Sequence, residues 1–181
     1  MIKHRHTIRL KNYDYSQSGL YFITICTQNR ECMFGDIINH NVGVGRDRPP
    51  LIGRDRPVSM NLNQYGKIIK NVWESLSDHH PVELDVSQIM PNHVHFILHI
   101  VLGASRRAPT MLGFIVGMFK TECTKQINKL RNTLGQKIFQ RNYYEHIIRN
   151  DIDLNKIREY IINNPLMWNR DRNNPVNINK N

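Results

Sequence analysis

An α+β fold is predicted by three features of the sequence. Short runs rich in β-branched and aromatic residues are interleaved with longer runs of helical periodicity. Two of the strand-like runs are separated only by Pro91-Asn92, the spacing of a hairpin. The order is strand, helix, strand, strand, helix, extended segment, helix, which matches a ferredoxin-like βαββαβ sandwich, an antiparallel sheet with helices on one face, plus a C-terminal helix. With 181 residues the chain is expected to form one domain with its own core.

The elements follow in order. Residues 1–20 are polar and basic, and read as an irregular arm bearing Arg9, Lys11, Tyr13 and Tyr15. Gly19–Thr27 reads as the first strand. Gly45-Arg46-Asp47-Arg48-Pro49 then recurs as Gly53-Arg54-Asp55-Arg56-Pro57; two short copies cannot build a solenoid, and such a Gly/Pro/Arg-rich stretch cannot build a core. Residues 40–58 are therefore expected to be a flexible insertion. The stripe Tyr65, Ile68, Ile69, Val72 and Trp73 predicts a helix over about Leu62–Leu76. Val82–Met90 is the second strand, and Pro91-Asn92 turns into the third, ending at Ile100. A polar break over Gly103–Pro109, with Arg106 and Arg107, precedes a helix over about Met111–Leu130 that turns Phe114, Ile115, Met118 and Phe119 inward. Ile138–Arg149 reads as extended. The last helix has the stripe Ile152, Leu154, Ile157 and Ile161, with Asp151 or Asp153 as cap and Pro165 as its stop. The polar, Asn-rich stretch 169–181 is expected to be a mobile tail.

Bulk properties narrow the function. Lys and Arg number 25 against 15 Asp and Glu, a net charge of +10, which is a common footprint of a nucleic-acid binder. No apolar run approaches the roughly 20 residues that span a bilayer, and the basic start lacks the apolar core of a signal peptide, so no membrane role and a cytoplasmic location are expected. Cys26, Cys32 and Cys123 form no CxxC pair and read as small packing residues. Trp73 and Trp168 read as core and C-terminal packing.

The chemistry concentrates in two places. His93 and His95 flank Val94 on a strand, so both imidazoles share one face while Val94 enters the core. Tyr160 and Asn164 are four apart on a helix, one above the other. Two imidazoles and an amide oxygen leave positions open on a divalent metal, suited to water and phosphate oxygens; Mg²⁺ or Mn²⁺ fits such a mixed site. Tyr160 would be the nucleophile on a phosphodiester, with the metal as Lewis acid.

These residues carry a family resemblance. His93-Val94-His95 resembles the histidine–hydrophobic–histidine motif of single-tyrosine transposases, and the chain is similar to the REP-associated tyrosine transposases over nearly its whole length. The likeness runs through Arg9-Leu10 with Tyr13-Asp14-Tyr15-Ser16, Tyr21–Thr27, Met90–His95, Phe119-Lys120, Phe139–Arg149 and Tyr160–Pro165. Two departures are Phe139, where a tryptophan often stands, and the Arg-rich loops around 46–56 and 103–109. The resemblance implies cleavage of single-stranded DNA near a hairpin, with a 5′-phosphotyrosine intermediate and a free 3′-hydroxyl. It assigns Tyr160 as nucleophile and His93, His95 and Asn164 as metal ligands. The expected partner is hairpin or single-stranded DNA, bound by a monomer or homodimer that associates with the nucleoid when on DNA. Candidate DNA contacts are Lys120, Arg141, Tyr143, Arg149, Arg106 and Arg107.

Alternatives attach to several residues. His99 shares the face of His95 and is either a DNA-side group or a partnered histidine; Ile97, standing where a histidine triad needs its third member, argues against such a hydrolase. Tyr143 and Tyr144 are competing nucleophiles without an amide one turn on, so core or base-stacking roles suit them better. Asn163 competes with Asn164, but helical phase favours Asn164. Glu145 and His146 are acid/base candidates or a hydrogen-bonded pair at the sheet edge. At the level of the whole chain, the alternatives are a catalytically silent hairpin DNA- or RNA-binding protein and a metal phosphodiesterase using water.

Overall fold

The computed structural model describes residues 18–39, 58–101 and 111–178. The arm before residue 18, most of the insertion (40–57) and the Arg106-Arg107 break lie outside the described residues. Strand β1 (Gly19–Cys26) is followed by a hairpin of β2 (Gly35–Asn39) and β3 (Val58–Leu62). Then come α1 (Gln64–Glu74), a short α2 (Leu76–His79), β4 (Val82–Ile89) and β5 (His93–Ile100). Helix α3 (Met111–Arg131), β6 (Tyr144–Ile148), α4 (Asp151–Met167) and a short α5 (Pro175–Ile178) follow.

The main sheet has the order β4-β5-β1-β6 with every neighbour antiparallel, the ferredoxin-like arrangement predicted from the sequence. The β2–β3 hairpin is a second sheet that the sequence reading did not separate; Val58 and its neighbours pair instead of ending a loop. Gly35 starts it at φ +134°, where a Cβ would stand 2.0 Å from the Asn61 carbonyl oxygen, so only glycine fits.

Strand alternation sorts the residues onto two faces. Tyr21, Ile23, Ile25, Val94, Phe96, Leu98 and Ile100 pack with Ile69, Trp73, Ile115, Phe119 and Ile127 of α1 and α3 in the main core. Phe22, Ile97, Ile148, Leu154 and Ile161 form a smaller core on the opposite face. The histidine face is thus not left open: α4 lies over it. Along α4 the buried stripe is Leu154, Ile161, Asn164 and Pro165, with Ile157 partly buried, while Ile152 is exposed because it is out of that phase. On α3 the inward residues are Leu112, Ile115, Phe119, Cys123 and Ile127; Phe114 and Met118, expected inside, are about half exposed.

Three boundaries of α4 and beyond differ from expectation. Its N-cap is Asn150, whose side chain accepts from the Asp153 amide at 2.8 Å; Asp151 and Asp153 fall in the first turn, where their charge suits the helix dipole. Pro165 does not stop the helix, which runs two residues further to Met167, so the proline stands within its last turn. Within the expected mobile tail, residues 169–178 fold instead. From Trp168 the chain forms a 3₁₀ turn and α5, and Asp171, Asn173 and Asn174 are buried. Among the described residues, no helix is long and apolar enough to cross a membrane.

Candidate functional site

The histidine strand enters through a braced turn. The Met90 amide donates to the His93 carbonyl at 2.8 Å, closing Pro91-Asn92 as a two-residue link. The amides of Met33 and Phe34 donate to the Pro91 carbonyl at 2.8 and 3.0 Å, and the Thr27 amide to the Asn92 carbonyl at 2.9 Å. This turn is held from two sides before the chain reaches the imidazoles.

Asn92 is fully buried and orders the first histidine. Its Nδ2 donates to the Arg30 carbonyl at 2.9 Å and the Asn173 carbonyl at 2.8 Å, which fixes the amide's orientation. Its Oδ1 therefore faces His93 Nδ1 at 2.9 Å and accepts that proton, leaving Nε2 of the neutral ring as an acceptor. His95 Nδ1 is 2.9 Å from Thr24 Oγ1. The two Nε2 atoms consequently face each other, 3.0 Å apart. Burial, reinforced by the positive charge of Arg30, pushes His93 down to about 3. Burial and the neighbouring His93 hold His95 well below its ordinary value. Both rings are therefore neutral near pH 7, the form that binds a metal.

Helix α4 brings Tyr160 to the same place. Its phenol oxygen is 3.5 Å from His95 Nε2, and its ring packs edge-on to Phe22 and His95 with centroids 6.0 and 5.3 Å away. The side chain is 48% exposed, so one side meets the site and the other meets solvent. Burial and the Asp171 carboxylate raise its pKa, while Arg172 and Asn164 oppose the rise. Asn164 is buried, and its Oδ1 has no hydrogen-bond partner of good geometry.

Asp171 is the residue that sequence reasoning missed. It comes from the segment expected to be a tail, and its Oδ2 lies 3.6 Å from His93 Nε2 with no hydrogen-bond partner. One ligand atom each from His93, His95 and Asp171 lies within 4.8 Å of the others. Two neutral imidazole nitrogens and two buried, unpartnered oxygens form a mixed N/O donor set, so these residues could hold a divalent metal.

The remaining predicted residues separate. Lys120 donates to the carbonyls of Gln140 and Arg141 at 2.6 and 3.0 Å, so its ammonium is spent on fastening the chain that leads to β6. Arg141 and Arg149 are exposed at opposite ends of β6. Tyr143 packs against the main core, across the sheet from Tyr160. Its neighbour Tyr144 takes the site face, edge-on to Phe22 at 6.0 Å, with the exposed Arg172 guanidinium 5.9 Å from its ring centre. Glu145 and His146 do not pair with each other, since consecutive strand residues point to opposite faces. His146 bonds Asp153 at 2.9 Å, tying β6 to the first turn of α4. His99 is partnered by Glu83 at 2.8 Å, toward the far end of β5. Trp168 packs near His93, with ring centroids 6.0 Å apart.

The chain has known relatives. The family model described as "Transposase IS200 like" matches residues 56–164, which include both histidines, Tyr160 and Asn164. The chain belongs to the IS200-like transposase family. It is 38% identical, over 94% of its length and 93% of the relative's, to an uncharacterized protein of Haemophilus influenzae. It is 25% identical, over 87% of its length and 77% of the relative's, to a protein of the same organism named as a REP-associated tyrosine transposase. Among solved structures it resembles a REP-associated tyrosine transposase bound to a REP hairpin, with TM-score 0.52, 18% identity, and 87% of this chain and 73% of that one covered. This transposase shares the fold of that structure.

Proposed function

We propose that this transposase is a metal-dependent endonuclease and strand transferase for single-stranded DNA, cutting near hairpins through Tyr160. The observation that carries the reading is the approach of the Tyr160 phenol to His95 Nε2, 3.5 Å within one chain, over a buried set of metal-type donors. A core histidine pair would have no reason to meet a half-exposed tyrosine and two unpartnered buried oxygens.

Mg²⁺ or Mn²⁺ held by His93, His95 and Asn164 would supply a Lewis acid that polarises the scissile phosphate and orients the leaving oxygen. The protein's own groups do the rest. The phenol oxygen of Tyr160 attacks phosphorus as its proton passes to water on the exposed side. The bond from phosphorus to the 3′-oxygen breaks, and that oxygen leaves as a hydroxyl after taking a proton. The 5′-phosphate stays esterified to Tyr160, and attack by a 3′-hydroxyl reverses the step and joins strands. Because Tyr160 and the histidines come from the same chain, a monomer suffices for one cut.

Hairpin DNA as the partner is supported by the ligand of the solved relative and by the net charge of +10. Arg141, Arg149 and Arg172 are the exposed basic side chains of this reading, and Tyr144 is the stacking ring beside the nucleophile.

The test incubates the protein with end-labelled hairpin oligonucleotides and Mn²⁺, then resolves the products on a denaturing gel. A DNA–protein adduct lost in Tyr160→Phe and in EDTA is expected. Hairpin binding without any adduct would sink the catalytic reading in favour of a silent binder. Cleavage that survives Tyr160→Phe would make water the nucleophile.

A further inference from the structure

The segment after α4 is stitched beneath the histidine strand. The Asn173 carbonyl accepts from Asn92 Nδ2 at 2.8 Å, Arg30 donates to Asn173 Oδ1, and Asn174 Nδ2 donates to the Trp168 carbonyl at 3.0 Å. These bonds hold the segment's buried asparagines in place, whereas only half of the Asp171 carboxylate is bonded. Oδ1 accepts from the Asn173 amide at 2.7 Å. Oδ2 is fully buried, makes no hydrogen bond, and is turned toward His93 Nε2 at 3.6 Å.

A buried carboxylate oxygen without a cation or donor is costly, and the ring beside it spends its Nδ1 on Asn92. The nearby guanidiniums do not pair with it. Arg30 is committed to Asn173, and Arg172 is exposed over Tyr144. What the oxygen shares with its surroundings is a centre: His93, His95 and Asp171 each present a ligand atom within 4.8 Å of the others, and Asn164, whose Oδ1 is also unpartnered, lies against His93 and Tyr160. A divalent cation at that centre would satisfy the Asp171 oxygen and have Asn164 beside it.

We propose that Asp171 is the anionic ligand of this metal site, beside His93, His95 and Asn164, and that the C-terminal segment closes the site by delivering it. This rests on the metal-dependent reading above. These four donors would leave room on a divalent ion for water or a substrate phosphate. Docking of residues 168–174 and binding of the ion then become one linked equilibrium, because each supplies what the other lacks.

The test titrates the full-length protein with Mn²⁺ by calorimetry, and follows amide hydrogen exchange over residues 168–178 with and without the ion. Wild type, Asp171→Asn, Asp171→Glu and His93→Ala are compared after circular dichroism of the metal-free forms. Loss of the charge in Asp171→Asn is expected to weaken Mn²⁺ binding on the order of tenfold or more, and Mn²⁺ is expected to slow exchange in the segment of wild type but not of this variant. The two substitutions separate a ligand from a packing residue. Asn keeps the shape and the acceptor for the Asn173 amide, so a structural role ranks it above Glu. Glu keeps the charge, so a ligand role ranks it above Asn in Mn²⁺ affinity. If Asp171→Asn binds Mn²⁺ as wild type does while His93→Ala does not, Asp171 is no ligand and the proposal falls alone. If wild type takes up no Mn²⁺, the metal-dependent function falls with it.

Discussion

Asn92 holds His93 in a single tautomer: its Oδ1 accepts the Nδ1 proton at 2.9 Å, while its own Nδ2 is pinned by the carbonyls of Arg30 and Asn173. Asn92→Ala removes both the proton acceptor and the donor that secures the C-terminal segment. The expected outcome is a loss of Mn²⁺ affinity of about 10- to 100-fold, the usual range for a group that orients a metal-binding histidine. Calorimetry measures it. An affinity equal to wild type, with the fold intact, would mean that packing alone orients the ring.

Arg158 anchors the nucleophile's helix. Two residues before Tyr160, it forks onto the Asp85 carboxylate of β4, with Nε at 3.0 Å from Oδ1 and a second contact from Nη2. Asp85 lies in the register shift between Leu84 and Ser87, and that bulge lets it reach across to α4. Asp85→Asn is expected to lower the rate of adduct formation on the order of tenfold, less than the ~10²-fold that a full 1 Å misplacement can cost. Mn²⁺ affinity should fall less than the rate, because His93, His95 and Asp171 do not depend on this contact and only Asn164 shares the helix. Single-turnover gels measure the rate. A rate equal to wild type would show that Phe22 and the small core place Tyr160 unaided.

How much of this was legible in the sequence depends on the kind of pattern. His93 with His95, and Tyr160 with Asn164, were readable because strand and helix periods turn spacing directly into shared faces. The sheet arrangement was readable differently, from the succession of strands and helices, which matches the ferredoxin-like unit. Asp171 was not readable: Asn169 to Asn177 has no hydrophobic period, and its burial comes from amide hydrogen bonds to Asn92 and Arg30, residues 81 and 143 positions away in the chain. The signal that was available is Trp168, an apolar anchor directly after α4, followed by short side chains that bond well to backbone. The sequence allows core or base-stacking roles for both Tyr143 and Tyr144; with Ile147 in the main core, alternation puts Tyr143, an expected DNA contact, there too and Tyr144 beside Phe22. Lys120 looked like a free cation because nothing local announces that it binds the carbonyls of Gln140 and Arg141.

The metal-free protein should be acid-sensitive in a definite window. Burial lowers His93 to about 3 and His95 well below its ordinary value in the folded state, against about 6.5 for a histidine in the unfolded chain. Below pH ~6.5 the unfolded state therefore takes up protons that the folded state refuses, so stability is full above that value and declines as pH falls toward the folded values. Asp85 adds a separate, lower step: its Arg158 hydrogen bond depresses its pKa, so its contribution persists above about pH 4 and disappears in stronger acid. Urea unfolding in EDTA between pH 8 and 5 checks the first step. The midpoint should be level at the alkaline end and fall toward pH 5. A profile that stays level to pH 5 would mean the two rings are not held neutral in the fold.

Arg172 and Tyr144 make the last prediction. The exposed guanidinium lies 5.9 Å from the centre of an exposed tyrosine ring, and that ring shares Phe22 with Tyr160. A strand entering the site would meet the ring with a base and the guanidinium with a phosphate. Tyr144→Ala should cost about 1–3 kcal/mol of single-strand affinity, the range for losing one stacked base. Arg172→Ala should weaken binding across sequences and make the slope of log K against log salt shallower by about 0.7, one phosphate contact on a single strand. Tyr143→Ala is the contrast, since its ring packs against the main core on the other face; it should lower stability and leave the salt slope alone. Fluorescence anisotropy at several salt concentrations, without metal so that no strand is cut, measures all three. A salt slope unchanged in Arg172→Ala would place the strand's path elsewhere on the basic surface.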